Sequence, residues 1–145
     1  MIKIICIGKI KEKFFRDAIE EYKKRISKYT KLEIIEVNDE VTIEKERDSI
    51  IKHINNKDYI ITLEIEGNSM SSVELAEKIE KVFIINSNIT FIIGSSFGLH
   101  SDIKNLSNYK LSFSKMTFPH QLFRIILLEQ IYRSFKIINN ETYHK

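Results

Sequence analysis

Three short segments of this chain combine glycine, serine and charged residues directly after apolar runs. They are residues 63–67 (LEIEG), 93–98 (IGSSFG) and 113–118 (FSKMTF). Backbone amides and short polar side chains in such segments can bind an anion or a nucleotide. Ordinary turns use the same residue types, so composition alone leaves a cofactor site and simple turns as open alternatives.

Two arginines in the last apolar stretch are further candidates, because each interrupts a helical pattern. Arg124 lies on the apolar arc itself, where it either extends to solvent at the helix end or meets a partner. Arg133 shares the opposite side with Leu122, Ile126 and Ile137. A helix that is apolar on more than one face needs a second covering surface, which predicts a two-fold dimer.

The C-terminal residues Asn139–Lys145 allow two interpretations. A polar terminus is typically frayed. Tyr143, His144 and Lys145 together could instead stack on a base and contact a phosphate.

Several common sites are excluded. Gly94–Gly98 reads G-x-x-x-G, which differs from the dinucleotide fingerprint, and no phosphate-binding loop of the G-x-x-x-x-G-K type occurs. The four histidines are scattered and Cys6 is the single cysteine, so we predict no metal site and no disulfide within the chain.

Apolar runs and helical periodicity indicate the elements that must position these residues. We predict strands at residues 2–7, 32–37, 59–65, 89–93 and 111–113, and helices at 14–29, 43–54, 71–85, 101–106 and from Pro119 to Phe135. Ser71 and Glu74 have the spacing of a capping box. This alternation predicts an α/β fold with a mostly parallel sheet flanked by helices. The three segments then meet at the carboxyl ends of the strands, where open sheets bind ligands.

Length and charge limit the remaining possibilities. A chain of 145 residues fits one domain spanning residues 1–145, and we expect no signal peptide and no membrane span. We therefore expect a cytoplasmic protein. The net charge of +3 permits an RNA partner but is small for a dedicated nucleic-acid binder.

Five stretches match a known family: MIKIICIGKIKEKF, ITLEIEG, FIIGSSFGLH, LSFSKMTFPHQLFRIILLEQIYRSFKI and the terminal YHK. Over essentially the whole chain the sequence resembles the RlmH family of large-subunit ribosomal RNA pseudouridine methyltransferases. This family belongs to the SPOUT, or α/β-knot, class.

The resemblance implies a C-terminal trefoil knot, a homodimer and S-adenosylmethionine as the methyl donor. It implies methylation of N3 of a pseudouridine in 23S rRNA on assembled ribosomes. By resemblance, the cofactor-binding residues are Leu63, Gly94, Phe113, Ser114, Lys115, Met116, Thr117 and Phe118.

For the chemistry, we hypothesise that Arg133, Tyr143 and His144 hold the target base from the partner subunit, with His144 as a proton acceptor. The alternative role for Arg133 is a salt bridge at the dimer interface. Arg124 and Lys145 are RNA-binding or interface candidates. Two alternatives are a non-catalytic, ribosome-associated RNA-binding protein of the same fold and a SPOUT methyltransferase that acts on tRNA.

One departure from the family pattern concerns the residue after Gly94. The family usually has a second glycine there, whereas this chain has Ser95. If that position requires a positive φ, Ser95 carries strain that glycine would avoid.

Overall fold

The computed structural model describes residues 1–145, in which five strands alternate with five helices. In chain order they are β1 (Ile2–Ile7), α1 (Lys13–Ile26), β2 (Leu32–Val37), α2 (Ile43–Ile51), β3 (Tyr59–Ser69), α3 (Ser72–Ile85), β4 (Ile89–Ile93), α4 (Ser101–Leu106), β5 (Tyr109–Ser112) and α5 (His120–Ile138). The predicted order of elements is confirmed.

The strands form one sheet in the order β2-β1-β4-β3-β5, and every neighbouring pair is parallel. The predicted α/β class is therefore confirmed. Because all strands run the same way, their carboxyl ends lie along a single edge.

Helices cover both faces of the sheet, which explains the continuous apolar sequence of β1. Ile4 and Cys6 belong to a large core cluster with residues of α1, α3 and α5. Ile5 and Ile7 belong to a smaller cluster with Ile50 of α2 and Ile103 of α4. Successive side chains point to opposite faces, so a strand covered twice must be apolar at both sets of positions.

Strand β3 is longer than predicted and contains an irregularity. Both Leu63 and Asn68 pair with Leu111 of β5, so the residues between them leave the ladder. At Gly67 a Cβ atom would lie 2.8 Å from the backbone carbonyl of Lys110, a distance that only glycine tolerates. The prediction that Glu66-Gly67-Asn68 ends the strand is wrong, because the chain rejoins β5 through Asn68 and Ser69.

Element boundaries differ from the predictions at a few positions. Helix α1 ends at Ile26, α2 ends at Ile51, and β5 spans Tyr109–Ser112. The capping box of α3 is confirmed, since the Glu74 amide donates to Ser71 Oγ and the Ser71 amide donates to Glu74 Oε1.

No helix in the structure is long and apolar enough to cross a membrane. The trefoil knot stays a prediction.

Candidate functional site

A cavity of about 410 Å³ lies at the carboxyl ends of β3, β4 and β5, within the size range of small-molecule sites. The three segments singled out from the sequence all line it. The predicted cofactor residues that line the cavity are Leu63, Gly94, Phe113, Ser114, Met116, Thr117 and Phe118. Lys115 is exposed and does not line it.

The loop after β5 is held by its own serines. Ser112 Oγ lies 2.8 Å from the carbonyl oxygen of Ile65 and 3.2 Å from that of Ser114, so it ties this loop to the irregular part of β3. Ser114 Oγ accepts from the Met116 amide at 3.0 Å. The amides of Ser114, Lys115, Thr117 and Phe118 donate no hydrogen bond within the chain. These unpaired donors are available to a ligand.

The loop after β4 is closed by a tight backbone contact. A Cβ atom at Gly94 would lie 2.6 Å from the Gly98 carbonyl oxygen, so this position requires glycine. Gly98 has a φ of +75°, whereas Ser95 does not have a positive φ. The strain considered for Ser95 is therefore absent.

Ser95 instead anchors its loop to α2. Its hydroxyl donates to Glu46 Oε1 at 2.6 Å and accepts from the Phe97 amide at 3.2 Å. Glu46 is buried, and its other oxygen accepts from the Glu40 amide at 3.4 Å. A glycine at this position could not supply the hydroxyl contact.

Charged groups outside the predicted set of cofactor-binding residues also line the cavity. Glu64 leaves the β3 ladder, accepts from Thr62 Oγ1 at 2.7 Å and lies 3.7 Å from Lys104 Nζ. Glu66 and His120 complete this polar set. A glutamate within an apolar strand end was the one sequence signal for Glu64, whereas Lys104 and His120 depend on how α4 and α5 approach the sheet.

Arg124 lies inside the subunit. It is 2% exposed, and its Nη1 contacts Glu36 Oε2 at 2.5 Å while its Nη2 donates to the Gly8 carbonyl at 3.2 Å. Both the extension to solvent and the assignment as an RNA-binding or interface candidate are wrong, because the guanidinium faces the end of β1. Arg124 thus fixes α5 against β1 and β2.

A second polar cluster lies at the other end of α5. Arg133 pairs with Glu129 at 2.6 Å, and its Nη1 lies 3.1 Å from His144 Nδ1. The Arg133 guanidinium lies over the Tyr143 ring at 4.8 Å, and the Tyr143 hydroxyl donates to Glu129 at 3.1 Å. The structure therefore brings together the three predicted catalytic residues, with Glu129 at their centre.

Two pKa values in this cluster are shifted by their surroundings. The hydrogen bond to Glu129 raises the pKa of Arg133. Burial, followed by the Glu129 carboxylate, raises the pKa of Tyr143, so the phenol stays protonated near neutral pH. Elsewhere, burial raises the pKa of the Cys6 thiol to about 12, which removes Cys6 as a nucleophile.

The C-terminal segment is held against the helices. Tyr29 donates to Glu141 at 2.8 Å, and Glu141 pairs with Lys136 at 3.0 Å. Tyr143 packs edge-on against Tyr132 with ring centroids 5.0 Å apart. The frayed interpretation is therefore wrong up to Tyr143, whereas His144 and Lys145 are exposed at the surface.

Comparison with known proteins identifies the family of this chain. Residues 1–144 match the family described as predicted SPOUT methyltransferase. The chain belongs to the SPOUT methyltransferase family. SPOUT methyltransferases use S-adenosylmethionine as the methyl donor.

Close relatives carry a more specific name. The chain is 57% identical over 157 aligned positions to the putative ribosomal RNA large subunit methyltransferase H of Methanococcus maripaludis, covering 99% of both chains. It is 52% identical, with the same coverage, to the ribosomal RNA large subunit methyltransferase H of Clostridium botulinum. These names confirm the predicted resemblance to the RlmH family.

Solved structures support the SPOUT fold alone, since their sequence identities are low. A probable methylase family protein from Haemophilus influenzae matches with a TM-score of 0.60 and 16% identity, covering 99% of this chain and 70% of that one. A tRNA (m1G37) methyltransferase from Aquifex aeolicus matches with a TM-score of 0.55 and 14% identity, covering 91% and 69%.

In this SPOUT chain the two polar sites are far apart. His120 lines the cavity, and Arg133 lies thirteen residues further along α5. At 1.5 Å per residue, this separation is about 20 Å along the helix. Groups at both sites of one subunit cannot contact the same reacting atoms.

Proposed function

We propose that this chain transfers a methyl group from S-adenosylmethionine to N3 of a pseudouridine in 23S rRNA, on assembled ribosomes in the cytoplasm. The observation that carries the proposal is the cavity formed by the three predicted loops. The substrate is inferred from the names of relatives that align with 99% of this chain.

The cavity residues fit this cofactor. Leu63, Phe113 and Phe118 offer apolar surface for an aromatic ring system, and the unpaired loop amides offer donors to its polar edge. Glu64 supplies a carboxylate that suits the positive charge of a sulfonium and an amino group. When bound, S-adenosylmethionine supplies an electrophilic methyl group, so the residues around it serve mainly for positioning.

The separation of about 20 Å along α5 favours a site shared between two subunits. We propose a homodimer in which the Arg133, Tyr143 and His144 cluster of one subunit faces the cavity of its partner. The half-buried face of α5 that carries Ile126 and Ile137 would supply the contact surface.

The cluster geometry sharpens the roles of its members. A guanidinium only donates hydrogen bonds, so we infer that His144 Nδ1 is an unprotonated acceptor and that the ring proton lies on Nε2. His144 could accept the N3 proton only through Nδ1, after Arg133 releases it. Arg133 is well placed to stabilise the anion that remains when N3 loses its proton, since it keeps its charge at every relevant pH.

Methylation of ribosomes with labelled S-adenosylmethionine tests the proposal. Wild-type protein should label 23S rRNA in ribosomes lacking the modification, and mass spectrometry should locate the methyl group on a pseudouridine. Label in tRNA instead would favour a tRNA methyltransferase. Ribosome binding without cofactor binding at millimolar concentration would favour the non-catalytic alternative.

Calorimetry with matched variants tests the cofactor site separately. Gly94→Ala should weaken S-adenosylmethionine binding by roughly tenfold or more, because the new Cβ displaces the loop that lines the cavity. Lys115→Ala is the control and should change affinity by less than about twofold, since its side chain lies outside the cavity. Equal losses from the two variants would contradict the assignment of this cavity.

A further inference from the structure

We propose that residues Lys9–Arg16 form an RNA-contacting surface, on which the Phe14 ring stacks with an unpaired base and the surrounding cations contact phosphates. The inference rests on the proposed function, because it takes ribosomal RNA as the substrate. It adds a surface outside both the cofactor cavity and the C-terminal cluster.

The charge of this segment is concentrated. Its sequence, KIKEKFFR, contains three lysines and one arginine against one glutamate, a net charge of +3. The whole chain also has a net charge of +3, so charges elsewhere cancel. All four cationic side chains are exposed. The positive charge is thus local, and the rest of the chain is nearly neutral. Such a patch is suited to bind the phosphates of a specific RNA segment.

Phe14 is an exposed aromatic ring within this field. It is 66% exposed, and its ring lies tilted against that of Phe15 with centroids 4.5 Å apart. An exposed phenyl ring contributes little to the stability of the fold, whereas unpaired RNA bases stack readily on such rings. The flanking Lys13 is 80% exposed although it pairs with Asp17, so it remains accessible to a phosphate.

The fold holds this segment at the cavity end of the molecule. Helix α1 begins after β1, at the carboxyl edge of the sheet, and the Lys11 amide donates to Gln121 of α5 at 3.4 Å. The next residue before Gln121 is His120, which lines the cavity. An RNA strand that delivers a base to the cavity would therefore pass close to this segment.

Arg124 and its partner Glu36 hold the backbone of this segment in place. Glu36, which contacts Arg124, also accepts from the Ile10 amide at 3.1 Å, and Arg124 donates to the Gly8 carbonyl. Arg16 Nη1 donates to the Lys11 carbonyl at 2.5 Å. These bonds fix the backbone between β1 and α1, while the Lys9 and Lys11 side chains form no hydrogen bond or salt bridge within the chain. Arg124 is thus a positioning residue for the segment.

A photo-cross-linking residue, benzoylphenylalanine, placed at position 14 tests the contact directly. With assembled ribosomes we expect a cross-link to 23S rRNA. The same residue at position 85, where Ile85 is 86% exposed at the opposite edge of the sheet, should give none. A cross-link from position 14 only to ribosomal protein, only to a second copy of this chain, or to nothing would overturn the inference.

Kinetics provide an independent measurement. Phe14→Ala should raise the KM for ribosomes by roughly tenfold, the effect of losing one stacked base, while Phe14→Tyr should retain the wild-type KM. Affinity for S-adenosylmethionine and the thermal midpoint should not change, because Phe14 lies outside the cavity and the core. An unchanged KM in Phe14→Ala, or a loss matched by Ile85→Ala, would contradict the stacking role.

Charge reversal tests the phosphate contacts. A Lys9→Glu and Lys11→Glu double variant should weaken ribosome binding at least tenfold at low salt and reduce its salt dependence. The matched control is Lys57→Glu with Lys81→Glu, two exposed lysines away from the cavity edge. Equal effects from both pairs would indicate general charge attraction and overturn the assignment. If wild-type protein methylates rRNA but these tests fail, only this inference is lost.

Discussion

At its N-terminal end α5 begins beside a cavity where several loop amides have no partner in the chain, whereas its C-terminal end carries a cluster whose charged groups are paired. Four amides between Ser114 and Phe118 are unpaired at the first end. At the second end, Glu129 receives hydrogen bonds from both Arg133 and Tyr143. One helix thus separates an incomplete polar site from a preorganised one.

The difference indicates distinct tasks. Unpaired donors around a cavity gain their partners when a ligand enters, so the N-terminal end is suited to binding. Donors held by a central carboxylate keep their orientation without a ligand, which is the property required to stabilise a developing charge.

Mixed dimers provide the strongest test. Gly94→Ala should weaken cofactor binding at least about tenfold, which makes the variant nearly inactive at low cofactor concentration. Arg133→Ala should lower the methylation rate by about a hundredfold without weakening cofactor binding. If one site combines both subunits, a mixture of the two inactive variants should recover about a quarter of wild-type activity, since half the dimers are mixed and each has one intact site. Recovery should require subunit exchange. No recovery after verified exchange would contradict the proposal that one site combines both subunits.

The two arginines of α5 should differ in their effect on stability. Arg124→Leu should lower the free energy of unfolding by about 2–3 kcal/mol, because Glu36 loses its partner next to a buried helix. This value lies below that of a fully buried pair because Glu36 is 34% exposed. Arg133→Leu is the matched variant and should cost about 1 kcal/mol or less. Denaturant unfolding measures both, and equal losses would contradict the distinction.

Substitutions of Ser95 test whether its hydroxyl anchors the cavity loop or its backbone is strained. Ser95→Ala should cost about 1–2 kcal/mol of stability, since buried Glu46 would lose its shortest hydrogen bond. Ser95→Gly should also destabilise the protein, whereas relief of strain would have the opposite sign. Ser96→Ala, at an exposed neighbouring position, should change stability by less than about 0.5 kcal/mol.

The contact between Tyr143 and Glu129 predicts a small loss of stability at alkaline pH. Its pKa is raised in the folded state, so its contribution to stability is present below the ordinary tyrosine value of about 10 and is lost as pH rises through the folded value. In a spectroscopic pH titration, Tyr143→Phe should therefore lack one tyrosine whose pKa in the wild-type protein is raised. The loss of an early-ionising tyrosine instead would contradict the contact with Glu129.

Much of the fold was predictable because its signals are local. Apolar runs and helical periodicity specify the type and order of all ten elements, and strand ends followed by Gly and Ser specify three cavity loops. A capping box acts between residues three positions apart, so Ser71 and Glu74 could be paired from the sequence.

Other features depended on contacts between residues far apart in the chain. Arg124 meets Glu36 across 88 positions, and the irregularity that exposes Glu64 exists only because β3 pairs with β5. Periodicity reports which face of a helix is apolar, but it does not report what lies opposite that face. Local patterns therefore predict the elements and the loops. Packing between distant parts of the chain buries Arg124, keeps Lys115 outside the cavity, and brings Arg133 to Tyr143 and His144 at the far end of α5.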